Sequence, residues 1–188
     1  MGLFGEVLTL LRAKVGPFEI LLPAVDHVRA EIEARSADWP VKPTLLTGTT
    51  AKYRAFREAD AALAASGTVT LELALAGVPL VSTYRLDWIG RIVKHFLEVP
   101  EPVRPITKVR SALLPNLVLG EMVVPEFIDE TCVPATIAEA LAALLVDGPA
   151  RARQIDAFAR IETIMREGLD ETPGATATRI VLDLLDRA

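Results

Sequence analysis

A doubly wound α/β domain built on a parallel sheet is what this sequence predicts. Two observations carry that expectation: segments of helical period alternate along the chain with apolar runs too short to be helices, and breaker-rich turns separate them. A parallel sheet covered by helices on both faces has this signature. Leu3, Val7, Leu8, Leu11 and Val15 recur at helical spacing and stop at Gly16-Pro17. Phe18 to Leu22 reads as a short strand followed by Pro23, and Asp26 to about Ala37 as an amphipathic helix. The pattern repeats with a strand at Thr44–Leu46, the loop Thr47-Gly48-Thr49-Thr50 and a helix from Lys52 to Glu58. A strand at Ala61–Ala64, the turn Ser66-Gly67, a helix from Thr68 to Ala76 and a strand at Leu80–Thr83 come next. A helix at Asp87–Phe96, a loop with Pro100, Pro102 and Pro105, and a last strand at Ser111–Leu114 follow. Beyond Pro115 the chain reads as helices at Thr136–Val146, Pro149–Met165 and Gly174–Arg187. The sheet domain is set at residues 1–146 and a C-terminal helical tail at 147–188.

With 188 residues the chain has room for one domain, since a single core serves roughly 100–200 residues. Hydrophobic residues make up 51% and charged residues 24%, a balance that supports a packed core and argues against disorder. A net charge of −5 lacks the basic excess that phosphate-backbone binding needs, so no nucleic-acid partner is expected. Cys132, the only cysteine, cannot form an internal disulfide and reads as a small buried hydrophobe. With His27 and His95 the only histidines, no Cys/His cluster stands at metal-ligand spacing, and no metal or cofactor is expected. The apolar stretch Ala61–Tyr84 is interrupted by Ser66, Gly67, Glu72, Gly77 and Pro79, which suits strand, turn, helix and strand better than a membrane span. No charged segment followed by an apolar core opens the sequence, so a cytoplasmic location is expected.

In an open parallel sheet, ligands bind beyond the carboxyl ends of the strands. The loops to search are Thr47-Gly48-Thr49-Thr50, Ser66-Gly67-Thr68 running into Glu72, and Pro115-Asn116 after the expected last strand. The middle loop carries the most information. Small residues between a strand and a helix let a phosphate reach the N–H groups at the positive helix end. Glu72, about one turn into that helix, can point back toward the cradle and accept hydrogen bonds from ribose hydroxyls. The same residues also make an ordinary turn and N-cap, with Glu72 favouring the helix dipole. The setting of Ser66 is not a nucleophile elbow, and neither a dinucleotide fingerprint nor a Walker loop is present.

The run from Ala59-Asp60 through Ser66-Gly67-Thr68-Val69-Thr70-Leu71-Glu72, continuing by Ala76-Gly77-Val78-Pro79-Leu80-Val81 to Tyr84-Arg85, closely resembles lipid-A-disaccharide synthases. So does Leu114-Pro115-Asn116-Leu117-Val118-Leu119-Gly120-Glu121 with Val123-Val124-Pro125-Glu126-Phe127. The resemblance runs from about Phe4 to the end. It implies a Rossmann-like, donor-binding half of a GT-B glycosyltransferase of lipid A biosynthesis. That family transfers a 2,3-diacylglucosamine unit from its UDP donor to 2,3-diacylglucosamine 1-phosphate, releasing UDP without an active-site metal. It implies Ser66, Gly67 and Thr68 near the diphosphate, Glu72 at the ribose and Asn116 near the sugar or phosphate. Arg85 is a further candidate for a phosphate contact, or equally the partner of a sheet-end carboxylate.

Members of the family also carry an acceptor-binding N-terminal domain with the base, a linker, and a strand ending in a Gly-Ser-Arg loop, and these are not in this sequence. By the family pattern Leu3–Val15 is the helix after that strand, so a sheet without its middle strand is expected, with two unpaired edges. The chain is therefore expected to be a truncated product or a piece of a longer polypeptide, inactive and only marginally stable alone. No catalytic residue is assigned, because Asp60, Asp87 and Glu121 suit solvated or capping roles. Trp88 to Leu97, with Ile92 and His95, reads as a helix covering the sheet, and the family's acylated substrates raise peripheral inner-membrane contact as a second role. The resemblance also suggests homodimers formed through helices within Pro149–Arg187. Two other readings compete. One is a non-catalytic nucleotide-sugar or interaction module; the other is a UDP-sugar epimerase, which fits the Leu114–Leu117 and Val123–Glu126 blocks poorly.

Overall fold

Parallel strands carry the fold, in two groups. In the computed structural model, which describes residues 2–65, 67–85, 111–166 and 173–185, β1 (Leu21–Ala24) pairs with β2 (Thr44–Thr47). The second sheet has the order β3 (Ala62–Ala65), β4 (Leu80–Tyr84), β5 (Glu126–Ile128), again parallel throughout. Around them lie α1 (Leu3–Val15), α2 (Arg29–Arg35), α3 (Thr49–Glu58), α4 (Thr68–Leu75) and α5 (Leu114–Leu119). The helices α6 (Pro134–Ala142), α7 (Pro149–Phe158), α8 (Ile161–Arg166) and α9 (Pro173–Leu185) complete the described chain. The α/β class with parallel sheets is as the sequence predicts.

Strand alternation divides the core between the two faces of the larger sheet. Ala64 and Leu80 point to one face, where Phe56 of α3, Leu73 and Ala74 of α4, Ala157 and Phe158 of α7 and Ile161 of α8 cover them. Leu63 and Val81 point to the other, against Val7 and Leu11 of α1 and Ile137, Ala138 and Leu141 of α6. The spacing of Val7 and Leu11, and of Ile137 and Leu141, is one helical turn, so each helix turns a single stripe inward. Leu80 and Val81 are both fully buried, which makes β4 the centre of the core. Cys132 is buried as a small apolar group, as expected.

No hydrogen bond joins the two sheets among the described residues. Side chains join them instead. From α1, Phe4 packs edge-on against Trp39 and the Arg12 guanidinium donates to the Pro40 carbonyl, while Val7 and Leu11 of the same helix enter the core of the larger sheet. Helix α3 packs on β1 and β2 and inserts Phe56 among the residues around Leu80. The Ile20 carbonyl accepts from the Thr44 N–H, so alternate residues of β1 bond β2 and Leu21 and Pro23 face the other edge. A proline there removes no N–H from the observed ladder.

The last strand is not where the sequence pattern places it. Ser111 to Leu113 form a loop, and Leu114 begins α5 with Pro115 in its first turn, where a missing N–H and a fixed φ are tolerated. The strand beside β4 is Glu126–Ile128, in a stretch to which the sequence pattern assigns no element; three residues opening on a glutamate give too short an apolar run to see. The expected helix Pro149–Met165 is two helices, broken at residues 159–160. The helix expected at Asp87–Phe96 and its proline loop, with Trp88, Ile92 and His95, lie outside the described residues.

At the start of β4 a side chain substitutes for a strand. Leu80 lies ahead of the β5 pairing, and its N–H and C=O are taken by Gln154 Oε1 at 2.7 Å and Nε2 at 3.0 Å. Gln154 is 2% exposed. Replacing it with leucine keeps the volume but leaves both Leu80 groups unpaired, at about 1–3 kcal/mol each. Chemical denaturation should show Gln154→Leu destabilised by about 2–5 kcal/mol; a loss under about 0.5 kcal/mol would show the pairing to be inessential.

Candidate functional site

The turn after β3 stands at the carboxyl edge of the larger sheet and is open to solvent. β3 ends at Ala65, and Gly67 and Thr68 are both exposed. Gly67 caps α4 with φ 148° and ψ −174°, a conformation essentially restricted to glycine, and has no side chain to occupy the helix end. Its carbonyl accepts from the Thr70 N–H at 3.2 Å and the Thr70 Oγ1 at 2.7 Å. Thr70 is fully buried, so this double bond pins the turn from beneath. Ser66 lies outside the described residues.

Glu72 sits one turn along α4 from Thr68, on the same face. Its side chain is one-third exposed and meets the Lys52 ammonium, with Nζ 2.5 Å from Oε2. Lys52 belongs to the first half of α3, the helix that follows β2, so the pair joins the helices that follow β2 and β3. The hydrogen bond from Lys52 to Glu72 holds the ammonium above the ordinary lysine range, against the opposing effect of partial desolvation. The Tyr53 ring lies beside the same ammonium, 4.6 Å from centroid to Nζ. Sequence reasoning placed Lys52 only as a helix start; a lysine four residues after a Gly48 turn carries no mark of its partner.

Arg85 is exposed just past the end of β4, and its guanidinium donates to the Cys132 carbonyl at 3.3 Å. Its observed partner is thus a backbone carbonyl rather than a sheet-end carboxylate. The structure does not bring Arg85 into contact with Glu72.

Asn116, expected near a sugar or phosphate, is held among backbone groups. Its side chain has no exposure at all. Nδ2 donates to Val124 O at 3.0 Å and Ser111 Oγ at 3.1 Å, and Oδ1 accepts from the N–H groups of Val123 at 3.0 Å and Val124 at 2.8 Å. With both ends of the amide engaged and no surface free, Asn116 locks α5 to the segment that leads into β5. Glu126 completes that lock by accepting from Ser111 Oγ at 2.8 Å and the Ala112 N–H at 3.1 Å. Glu121 pairs with Arg160 at 2.5 Å on the surface.

Among the described residues no group of three or more His, Cys, Asp or Glu side chains could hold a metal ion, and no helix is long and apolar enough to cross a membrane. The arrangement as a whole is that of a parallel-sheet protein with a small-residue turn and an acidic side chain at its carboxyl edge, where such folds hold ligands. The chain belongs to the lipid-A-disaccharide synthetase family, whose model matches residues 2–180. It is 46% identical to a lipid-A-disaccharide synthase of Rhodopseudomonas palustris strain HaA2, over 98% of this chain and 44% of that relative. A lipid-A-disaccharide synthase of Bradyrhizobium diazoefficiens is 45% identical over 95% of this chain and 43% of its own length. One from Rhodopseudomonas palustris strain BisB18 is 46% identical over 100% of this chain and 45% of its own. The chain thus spans less than half the length of these curated relatives.

Proposed function

We propose that this chain is the donor-binding half of a glycosyltransferase that moves 2,3-diacylglucosamine from its UDP donor to 2,3-diacylglucosamine 1-phosphate and releases UDP. The observation that carries the reading is the open Gly67-Thr68 turn at the carboxyl edge of β3, with a partly exposed Glu72 one turn behind it. In this reading the diphosphate lies against the first N–H groups of α4, beside Ser66, Gly67 and Thr68, where the helix dipole favours negative charge. Glu72 accepts from ribose hydroxyls, and Arg85 adds positive charge from the end of β4. Asn116 acts at one remove, by holding the neighbouring segment in place.

As the bond from the anomeric carbon to the departing UDP breaks and the acceptor hydroxyl takes its place, negative charge grows on the diphosphate. Donors already aimed at that position stabilise the charge without rearranging. The family resemblance implies a base and an acceptor site outside this stretch of sequence, so donor binding without transfer is the behaviour expected of the isolated chain. Peripheral contact with the inner membrane from the cytoplasmic side, and a homodimer through the C-terminal helices, belong to the same proposal and follow from the family resemblance alone.

Titration calorimetry of the purified chain with UDP tests it. Saturable one-site binding is expected, weakened about tenfold or more in Glu72→Ala, which removes the ribose acceptor. Absence of binding at millimolar UDP in a folded sample would sink the reading.

A further inference from the structure

The role of Lys52 goes beyond that reading while resting on it. Other ion pairs of the chain, such as Arg29–Glu33, Arg35–Glu31, Arg54–Glu58 and Arg166–Glu162, are i, i+4 pairs within one helix with both side chains at least half exposed. Such pairs contribute little. Lys14–Glu139 joins two helices, but its side chains are 46% and 69% exposed. Lys52–Glu72 is the more sheltered pair. It joins two helices, its side chains are 28% and 33% exposed, and the ammonium also lies 4.6 Å from the Tyr53 ring centroid and 6.0 Å from that of Phe56. Phe56 is itself in the core beside Ala64 and Leu73. Tyr53 is 41% exposed but packs edge-on against Phe56, so the cation rests beside one surface ring and one core ring while it holds the carboxylate.

An unpaired glutamate on an exposed helix face samples many rotamers, and ordering it on ligand binding costs conformational entropy. Here that ordering is already present. Oε2 is engaged by Lys52, and among the described residues Oε1 meets no partner. Glu72 shares its helix face with Thr68, at the mouth of the turn. We propose that Lys52 is a positioning residue for Glu72, which presets one carboxylate oxygen as the acceptor for the vicinal hydroxyls of a bound nucleoside diphosphate. Lys52 thereby confers selectivity for a ribose diol, although it does not contact the diol.

Calorimetry with UDP and 2′,3′-dideoxy-UDP, on wild type and variants shown to be folded by circular dichroism, tests this. Wild type should prefer UDP by about tenfold, the value of one charge-assisted hydrogen bond. Lys52→Met should weaken UDP about fivefold to tenfold, leave the dideoxy ligand nearly unchanged and so erase most of the preference. Lys52→Arg should restore most of it. The exchanged pair Lys52→Glu with Glu72→Lys re-forms an ion pair and should melt within about 3 °C of wild type, yet show no preference because the carboxylate is on the wrong helix. This double variant carries the test if Lys52→Met does not fold. A preserved tenfold preference in Lys52→Met or in the exchanged variant would overturn the proposal. Failure of wild type to bind UDP would instead overturn the donor-site reading, and this inference with it.

Discussion

With valine in place of Gly67, UDP binding is expected to fall by about a hundredfold, alongside a loss of about 1–3 kcal/mol in stability. A Cβ at position 67 meets nothing within 4 Å, so the effect does not come from a clash with neighbouring residues. It comes from the backbone: φ 148° with ψ −174° is closed to a β-branched residue. Valine must rotate the turn toward negative φ, which re-aims the peptide groups at the head of α4 and undoes the double acceptance by the Gly67 carbonyl. Gly16→Ala is the control, because Gly16 also has positive φ, at 85°, but ends α1 far along the chain from the turn. That variant should lose comparable stability with UDP affinity intact. Calorimetry on folded Gly67→Val giving a Kd within about threefold of wild type would remove the turn from the binding site.

Asn116→Ala is expected to produce a large loss of stability, about 3–5 kcal/mol from a total of roughly 5–15 kcal/mol. Truncation strips partners from the N–H groups of Val123 and Val124 and from the Val124 carbonyl, in a region where Val123 and Val124 are 6% and 1% exposed. Asn116→Asp keeps the acceptor but loses the donor and buries a charge, so it should be no milder. Thermal unfolding should fall by about 8 °C or more, while UDP affinity of the folded fraction stays within about threefold. A melting temperature within about 2 °C of wild type would contradict the lock, and a selective loss of affinity would return Asn116 to the ligand.

Much of this was legible from the chain alone, for reasons that differ by element. The strands Ala62–Ala65 and Leu80–Tyr84 announce themselves because both faces are covered and every residue is small or apolar. The Gly67-Thr68 turn is legible as the junction of a strand and a helix, because a glycine between two such patterns marks a turn, but the same pattern serves as an ordinary N-cap. The strand Glu126–Ile128 was hidden, since its glutamate is occupied with Ser111 and Ala112 and only two apolar residues remain. The bracing role of Asn116 is not legible, because a polar residue in a family motif suggests ligand contact, whereas a buried amide with two donors and an acceptor is also well suited to bracing a loop. Gln154 and Lys52 act on residues 74 and 20 positions away, and no local pattern encodes such partners.

That no backbone ladder joins the two strand groups among the described residues has a consequence for how this molecule melts. Cooperativity there is transmitted by side chains, through Phe4 on Trp39, the Arg12 hydrogen bond to Pro40, Phe56 and the Lys52–Glu72 pair. The segment holding β1, α2 and β2 can then act as a foldon with its own opening free energy, below that of the region around β4. A nucleotide seated against Glu72 would tighten one of these seams, so that occupancy and mechanical integrity rise together.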